Sequence, residues 1–288
     1  MIIKKVGVVG CGFMGSGITQ ICAQSGYQVT VQDINEDVLK KGLSSIDYFV
    51  SHSVEKCKLS ASEGNAILAR IKSTTNLKEL ADSDIVIEVV PEDIKLKQKI
   101  FKELDKICSK RTILASNTST IRIAELAKVT SRPDKVIGTH FLSPVPPSKL
   151  LEIVRPDTTS DETLETVKRF GKSLGKEVIV AKDTPGFIFN YLLGTLTFAA
   201  LELLEKGIAT KEDIDKSMTL GLGHPIGPIA LMDFNGLDVI YLTQKAFYDQ
   251  LGEPGKVPSK LVKKLVDEGN LGRKSGKGFY DYSKEKKR

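Results

Sequence analysis

A short apolar strand, Lys5 to Val9, runs directly into Gly10-Cys11-Gly12-Phe13-Met14-Gly15 and then into an amphipathic helix with Ile18, Ile21 and Cys22 at helical spacing. Few sequence features restrict a fold more. Gly10 permits the tight turn from strand to helix, Gly12 lets backbone approach a pyrophosphate, and Gly15 lets the helix pack closely on the strand. The helix start at Phe13 and Met14 presents N–H groups and the positive dipole end to an anion. A glycine cluster of this kind also marks plain turns. Here the strand before, the helix after and the acid Asp33 closing the second strand favour a dinucleotide. Asp33 is placed to accept hydrogen bonds from the adenine ribose and to repel a 2′-phosphate, which selects NAD over NADP.

The rest of the amino-terminal part continues the alternation. Gln28 to Gln32 reads as a strand, 36–70 as helical, Asp84 to Val90 as a buried strand and Glu92 to Cys108 as a helix. Arg111 to Ser116 is a strand, Ile121 to Val129 a helix and Lys135 to Phe141 a strand. Then come a proline-bearing turn, a strand at Leu150 to Val154, a helix at Thr158 to Leu174 and a strand at Glu177 to Ala181. From about Phe187 only helices are read, with breaks at Gly207, Gly221 to Pro228 and Gly252 to Pro258. The expected fold class is α/β, a doubly wound sheet over 1–186 followed by an all-α domain over 187–288.

Composition narrows the function classes. Hydrophobic residues at 41% and charged ones at 27% support two folded domains of ordinary size. The formal charge of +6 owes half its value to the tail Lys284, Glu285, Lys286, Lys287 and Arg288, and no basic stripe is interleaved with aromatics. Nucleic acid is therefore not expected as a partner, whereas a mildly basic body suits a phosphorylated small molecule. Cys11, Cys22, Cys57 and Cys108 form no paired motif, so buried or half-buried free thiols and no metal are expected. The first residues run straight into a strand, and Tyr191 to Leu204 is too short to span a bilayer. A cytoplasmic protein away from membranes is the expectation.

Oxidising an alcohol needs a base near neutral pH, a task for histidine. His52 lies in a charged helix and His224 in a glycine-rich turn. His140 ends a strand of the α/β part, where ligands of such sheets bind. If 142–149 turns the chain back, Glu152 in the next strand meets it and orients the ring; otherwise His140 is a core histidine beside a surface glutamate. Ser116 to Thr120 gathers hydroxyls at another strand end, where helix capping competes with ligand binding. Asn190 is a polar residue in the apolar run opened by Pro185-Gly186-Phe187 and needs a partner, either backbone or substrate.

With the glycine loop, Ser116-Asn117-Thr118-Ser119, the His140 and Glu152 pair and Pro185-Gly186-Phe187-Ile188-Phe189-Asn190 in this order, the sequence resembles the L-3-hydroxyacyl-CoA dehydrogenase family from about residue 3 to 282. The resemblance is closest to its small bacterial 3-hydroxybutyryl-CoA members. It implies a Rossmann domain, a helical carboxyl-terminal domain that forms a homodimer or higher homo-oligomer, and an acyl-CoA substrate between them. It also implies His140 as base, Glu152 as its partner, and Ser119 and Asn190 as groups on the substrate oxygen. Glu92, Lys97, Ser143 and Lys274 match cofactor positions, Ser119 lies against cofactor as well as substrate, and Lys56 falls where a lysine meets CoA phosphates or simply a solvated helix face. Ser143 stands where asparagine is usual, Pro147 and Ser148 where Val-Met is common, and Tyr191 where arginine is usual; a water can bridge from the shorter Ser143. Alternatives within the fold are L-gulonate or 3-hydroxyadipyl-CoA as substrate, or a non-catalytic nucleotide-binding or structural role.

Overall fold

The structure, a computed structural model, describes residues 1–251 and 257–283. Most of the expected break at Gly252 to Pro258, and all of the tail 284–288, lie outside the described residues. The chain divides into two compact units, Met1–Phe187 and Ile188–Arg288.

The first unit is built on an eight-stranded sheet ordered β3-β2-β1-β4-β5-β6-β7-β8. Its strands are β1 (Lys5–Val9), β2 (Gln28–Gln32), β3 (Ile71–Thr74), β4 (Ile85–Glu88), β5 (Ile113–Ser116), β6 (Val136–Phe141), β7 (Leu150–Arg155) and β8 (Glu177–Lys182). All neighbours are parallel except β6 and β7, which run antiparallel. Alternating side chains feed two cores, as a pleat requires. Val8, Ile85, Ile87 and Ile113 pack with α1 (Phe13–Gln24), α2 (Glu36–Glu55), α3 (Ala61–Ala69) and α6 (Asp161–Ser173). Val9, Val86, Leu114 and Val136 pack with α4 (Ile94–Ile107) and α5 (Ile123–Ala127). Burial on both faces explains why the central strands read as nearly unbroken apolar runs.

Three local expectations need correction. The stretch 36–70 is two helices: Cys57 takes φ 54°, and Ser60 restarts the chain in a capping box with Glu63. Ile71–Thr74, not anticipated, adds a half-exposed strand beside β2, with only one apolar side chain to signal it. Cys57 is exposed at its turn, while Cys11, Cys22 and Cys108 are buried.

The second unit contains α7 (Phe189–Glu205), α8 (Lys211–Gly221), α9 (Pro228–Asn235), α10 (Leu237–Leu251) and α11 (Lys260–Asp267). Ala200, Leu201, Ile214, Ile229, Met232, Leu237 and Val262 form its core. Among the described residues no helix is long and apolar enough to cross a membrane.

Candidate active site

The glycine loop obeys its local geometry strictly. Gly10 has φ 104°, and a Cβ there would lie 2.7 Å from the carbonyl oxygen of Val89. A Cβ on Gly15 would overlap the carbonyl oxygen of Gly10. Both positions therefore exclude side chains. Gly12 differs: a Cβ on it would meet nothing within 4 Å, because it points into open space over the start of α1. Gly12 is the N-cap of α1 and no side chain caps that helix. Phe13 is 71% exposed beside this space. An uncapped helix start beneath an open, glycine-lined cradle fits a pyrophosphate. Asp33 is tied to the same loop, since its Oδ2 accepts from the Cys11 N–H at 2.9 Å and its Oδ1 from the Asn35 N–H at 3.2 Å. Each oxygen retains a second lone pair for a ribose hydroxyl.

Further along the sheet edge, β4 ends at Glu88 and β5 at Ser116. Glu88 is completely buried, and Lys97 on α4 is 1% exposed. Lys97 Nζ donates to Glu88 Oε1 at 2.7 Å and to the Val90 carbonyl at 3.0 Å, and lies 3.3 Å from Glu92 Oε2. Glu88 also accepts from the Val90 N–H at 2.7 Å and from Ser116 Oγ at 2.6 Å. Glu92 Oε1 gathers the next loop. It accepts from Thr118 Oγ1 at 2.5 Å, from the N–H groups of Ser119 and Thr120 at 3.1 Å each, and from Thr120 Oγ1 at 2.8 Å. Burial pushes the Glu92 carboxyl up, but the Lys97 ammonium and the bonds from Thr118 and Thr120 outweigh it and hold the group below the ordinary carboxylate value. Ser116 to Thr120 is thus gripped at both ends by carboxylates joined through one buried ammonium.

His140 and Glu152 are directly opposite partners in the β6–β7 ladder. Opposed residues of an antiparallel pair put their side chains on one face at short range. His140 Nδ1 lies 2.9 Å from Glu152 Oε2, and both groups are buried. A carboxylate there places the ring proton on Nδ1 and leaves Nε2 as the acceptor, the form a general base needs. Phe187 packs edge-on against the ring at 5.8 Å between centroids. Two further residues hold this strand pair. Asn117 Oδ1 accepts from the Phe141 N–H at 2.9 Å. Lys176 Nζ donates to the carbonyls of Val145 at 2.7 Å and Ser148 at 2.5 Å, pinning the turn that returns β7 to β6. Burial draws the Lys176 ammonium below the ordinary lysine value.

Residues 5–184 match the family model described as the 3-hydroxyacyl-CoA dehydrogenase NAD binding domain, and residues 186–282 match the C-terminal domain of the same family. The chain belongs to the 3-hydroxyacyl-CoA dehydrogenase family. It is 41% identical to the probable 3-hydroxybutyryl-CoA dehydrogenase of Bacillus subtilis over 285 residues, 99% of each chain. It is 40% identical to the 3-hydroxybutyryl-CoA dehydrogenase of Clostridioides difficile, covering 97% of this chain and all of that one. The crystal structure of (S)-3-hydroxybutyryl-CoA dehydrogenase from Ralstonia eutropha superposes with a TM-score of 0.94 at 42% identity, covering 98% of this chain and 100% of that one. As a member of this family the protein is an NAD-dependent oxidoreductase.

The remaining predicted positions of this family member are spread more widely. Ser119 is half-buried on the loop held by Glu92, and Ser143 is exposed just beyond β6. Asn190 is half-buried in the first turn of α7, in the second unit. Lys274, also in that unit, is paired with Asp238 at 2.5 and 2.6 Å. Lys56 is exposed at the end of α2. Sequence reasoning missed Glu88, Asn117 and Lys176. An acid inside the buried run Asp84 to Val90 was a readable signal for Glu88. Nothing local marks Lys176.

Proposed function

We propose that the protein interconverts a short L-3-hydroxyacyl-CoA, such as (S)-3-hydroxybutyryl-CoA, and its 3-oxoacyl-CoA. The observation that carries this reading is the His140–Glu152 pair on the same sheet edge as the glycine loop. Bound NAD supplies the hydride acceptor. In the oxidative direction His140 Nε2 takes the hydroxyl proton, and Glu152 holds the ring and stabilises the imidazolium. Ser119 and Asn190 hold the substrate oxygen as its charge changes; in reduction the imidazolium returns the proton. Gly10, Gly12, Phe13, Met14 and Gly15 seat the pyrophosphate. Asp33 selects NAD over NADP, and Glu92, Lys97, Ser119, Ser143 and Lys274 complete the cofactor site. Lys56, exposed and beside Lys58, suits a CoA phosphate.

The reading also takes the second unit as the substrate-binding and self-association domain. Its exposed Leu192, Leu220, Leu222 and Leu242 support a homodimer or a higher homo-oligomer. Four free cysteines accord with a reducing cytoplasm. An assay of NADH consumption with acetoacetyl-CoA, repeated with NADPH and with a longer 3-oxoacyl-CoA, tests the function. Turnover is expected with NADH and the short substrate. No turnover with any CoA thioester overturns it.

A further inference from the structure

Lys97 needs one counter-charge and has two. Glu88 and Glu92 both lie against its ammonium, at 2.7 and 3.3 Å. The remaining contacts recorded on Glu88, from the Val90 N–H and Ser116 Oγ, are donors, as an ionised carboxylate requires. The assembly therefore carries one net negative charge, and its deeper half is shielded from water, where a field persists over longer range than at the surface.

Where that charge acts follows from sheet order. Asp33 follows β2 and the glycine loop follows β1, so a dinucleotide seated there runs from β2 across β1. The next strand ends are those of β4 and β5, carrying Glu88 and Ser116, and then β6, carrying His140. A ring that exchanges a hydride with a carbon whose oxygen faces His140 must lie over the ends of β4 and β5. The oxidised nicotinamide ring is positively charged and the reduced ring is neutral, so the charge beneath distinguishes them.

We infer that the Glu88–Lys97–Glu92 assembly makes the nicotinamide end of the cofactor site net negative and so favours the oxidised ring over the reduced one, with Glu88 the positioning residue that sets this charge. The inference rests on the reading of the protein as an NAD-dependent dehydrogenase. A purely structural Glu88 would hold the loop for both cofactor forms alike. A charge-setting Glu88 affects one form more than the other.

The test is substrate-free binding at neutral pH: NADH by its fluorescence, and NAD by competition against NADH, with circular dichroism to verify folding. Glu88→Gln keeps the side-chain shape and removes one charge. It is expected to weaken binding of the oxidised form about 5–20-fold while NADH affinity changes less than about threefold. Glu92→Gln removes the same charge from the more exposed side and is expected to move the ratio in the same direction. It decides the matter alone if Glu88→Gln does not fold. Equal loss of both forms, an unchanged ratio or a shift toward the oxidised form overturns the inference. Wild-type protein that binds neither form overturns the dehydrogenase reading itself.

Discussion

His140 and Glu152 meet because two neighbouring strands run in opposite directions; Glu88, Glu92 and Lys97 meet because one continuous stretch, the end of β4, its loop and the start of α4, folds back on itself. The first arrangement includes a direct cross-strand contact at 2.9 Å, placed by strand register. The second is a network in which the Lys97 ammonium faces Glu88, the Val90 carbonyl and Glu92 together. The difference is chemical as well as topological. In the proposed reaction the ring of His140 carries a proton that moves, while Glu152 orients it. An ammonium already surrounded by acceptors moves nothing; it holds a loop and a charge in place. On the proposed function, two polar assemblies on one sheet divide reaction from scaffold.

Loss of the moving proton should have the largest effect. His140→Gln is expected to lower kcat by about 10²–10⁴, measured under saturating cofactor and substrate. Turnover at the wild-type rate would break the division at once. Glu152→Gln should follow, with kcat down by about 10–10³, because an amide can present its N–H₂ group to Nδ1 and so favour the wrong tautomer. If its loss appeared as weaker cofactor binding with kcat intact, the two assemblies would not be distinct.

A third ion pair, toward the other end of α4 from Lys97, sharpens the contrast. Arg132 is buried and its Nε donates to Asp105 Oδ1 at 2.7 Å. Burial pushes Asp105 up, but hydrogen bonds from Ser131 and then the bond and charge of Arg132 outweigh it, so its carboxyl is held below the ordinary value. Asp105 therefore binds a proton less readily folded than unfolded. Its contribution is full above roughly pH 4 and fades as pH falls through the depressed folded value. Asp105→Asn should cost about 2–4 kcal/mol of unfolding free energy at pH 7, less at acid pH, with kcat unchanged. Urea melts at both pH values and one kinetic assay check this, and a fall in kcat would show that stability and reaction are not separable here.

Much of the fold was legible because its signals are local. The glycine loop and Asp33 follow from backbone sterics and strand ends, and the buried strands from apolar runs. The restart of the chain at Ser60 was readable too, since Ser60 and Glu63 stand at capping-box spacing. β3 was not, because Ile71-Lys72-Ser73-Thr74 is a half-exposed edge strand with little apolar patterning. Lys176 shows the harder limit: it is buried, and its ammonium is met by two carbonyls from a turn far away in sequence. No residue near it announces that.

By itself, the sequence determined that a helix start opens onto a glycine-lined cradle, that an acid follows the next strand, and that a histidine and a glutamate stand on two successive strands. Those are properties of adjacent residues, settled by φ, by the missing Cβ and by strand period. Tertiary structure decided that β7 returns antiparallel to β6 in the register that faces Glu152 to His140. It also decided that Glu92 reaches the loop at Thr118 and Thr120, far along the chain. Register and convergence are set by packing across the whole sheet, where a shift of one residue would turn Glu152 to the opposite face.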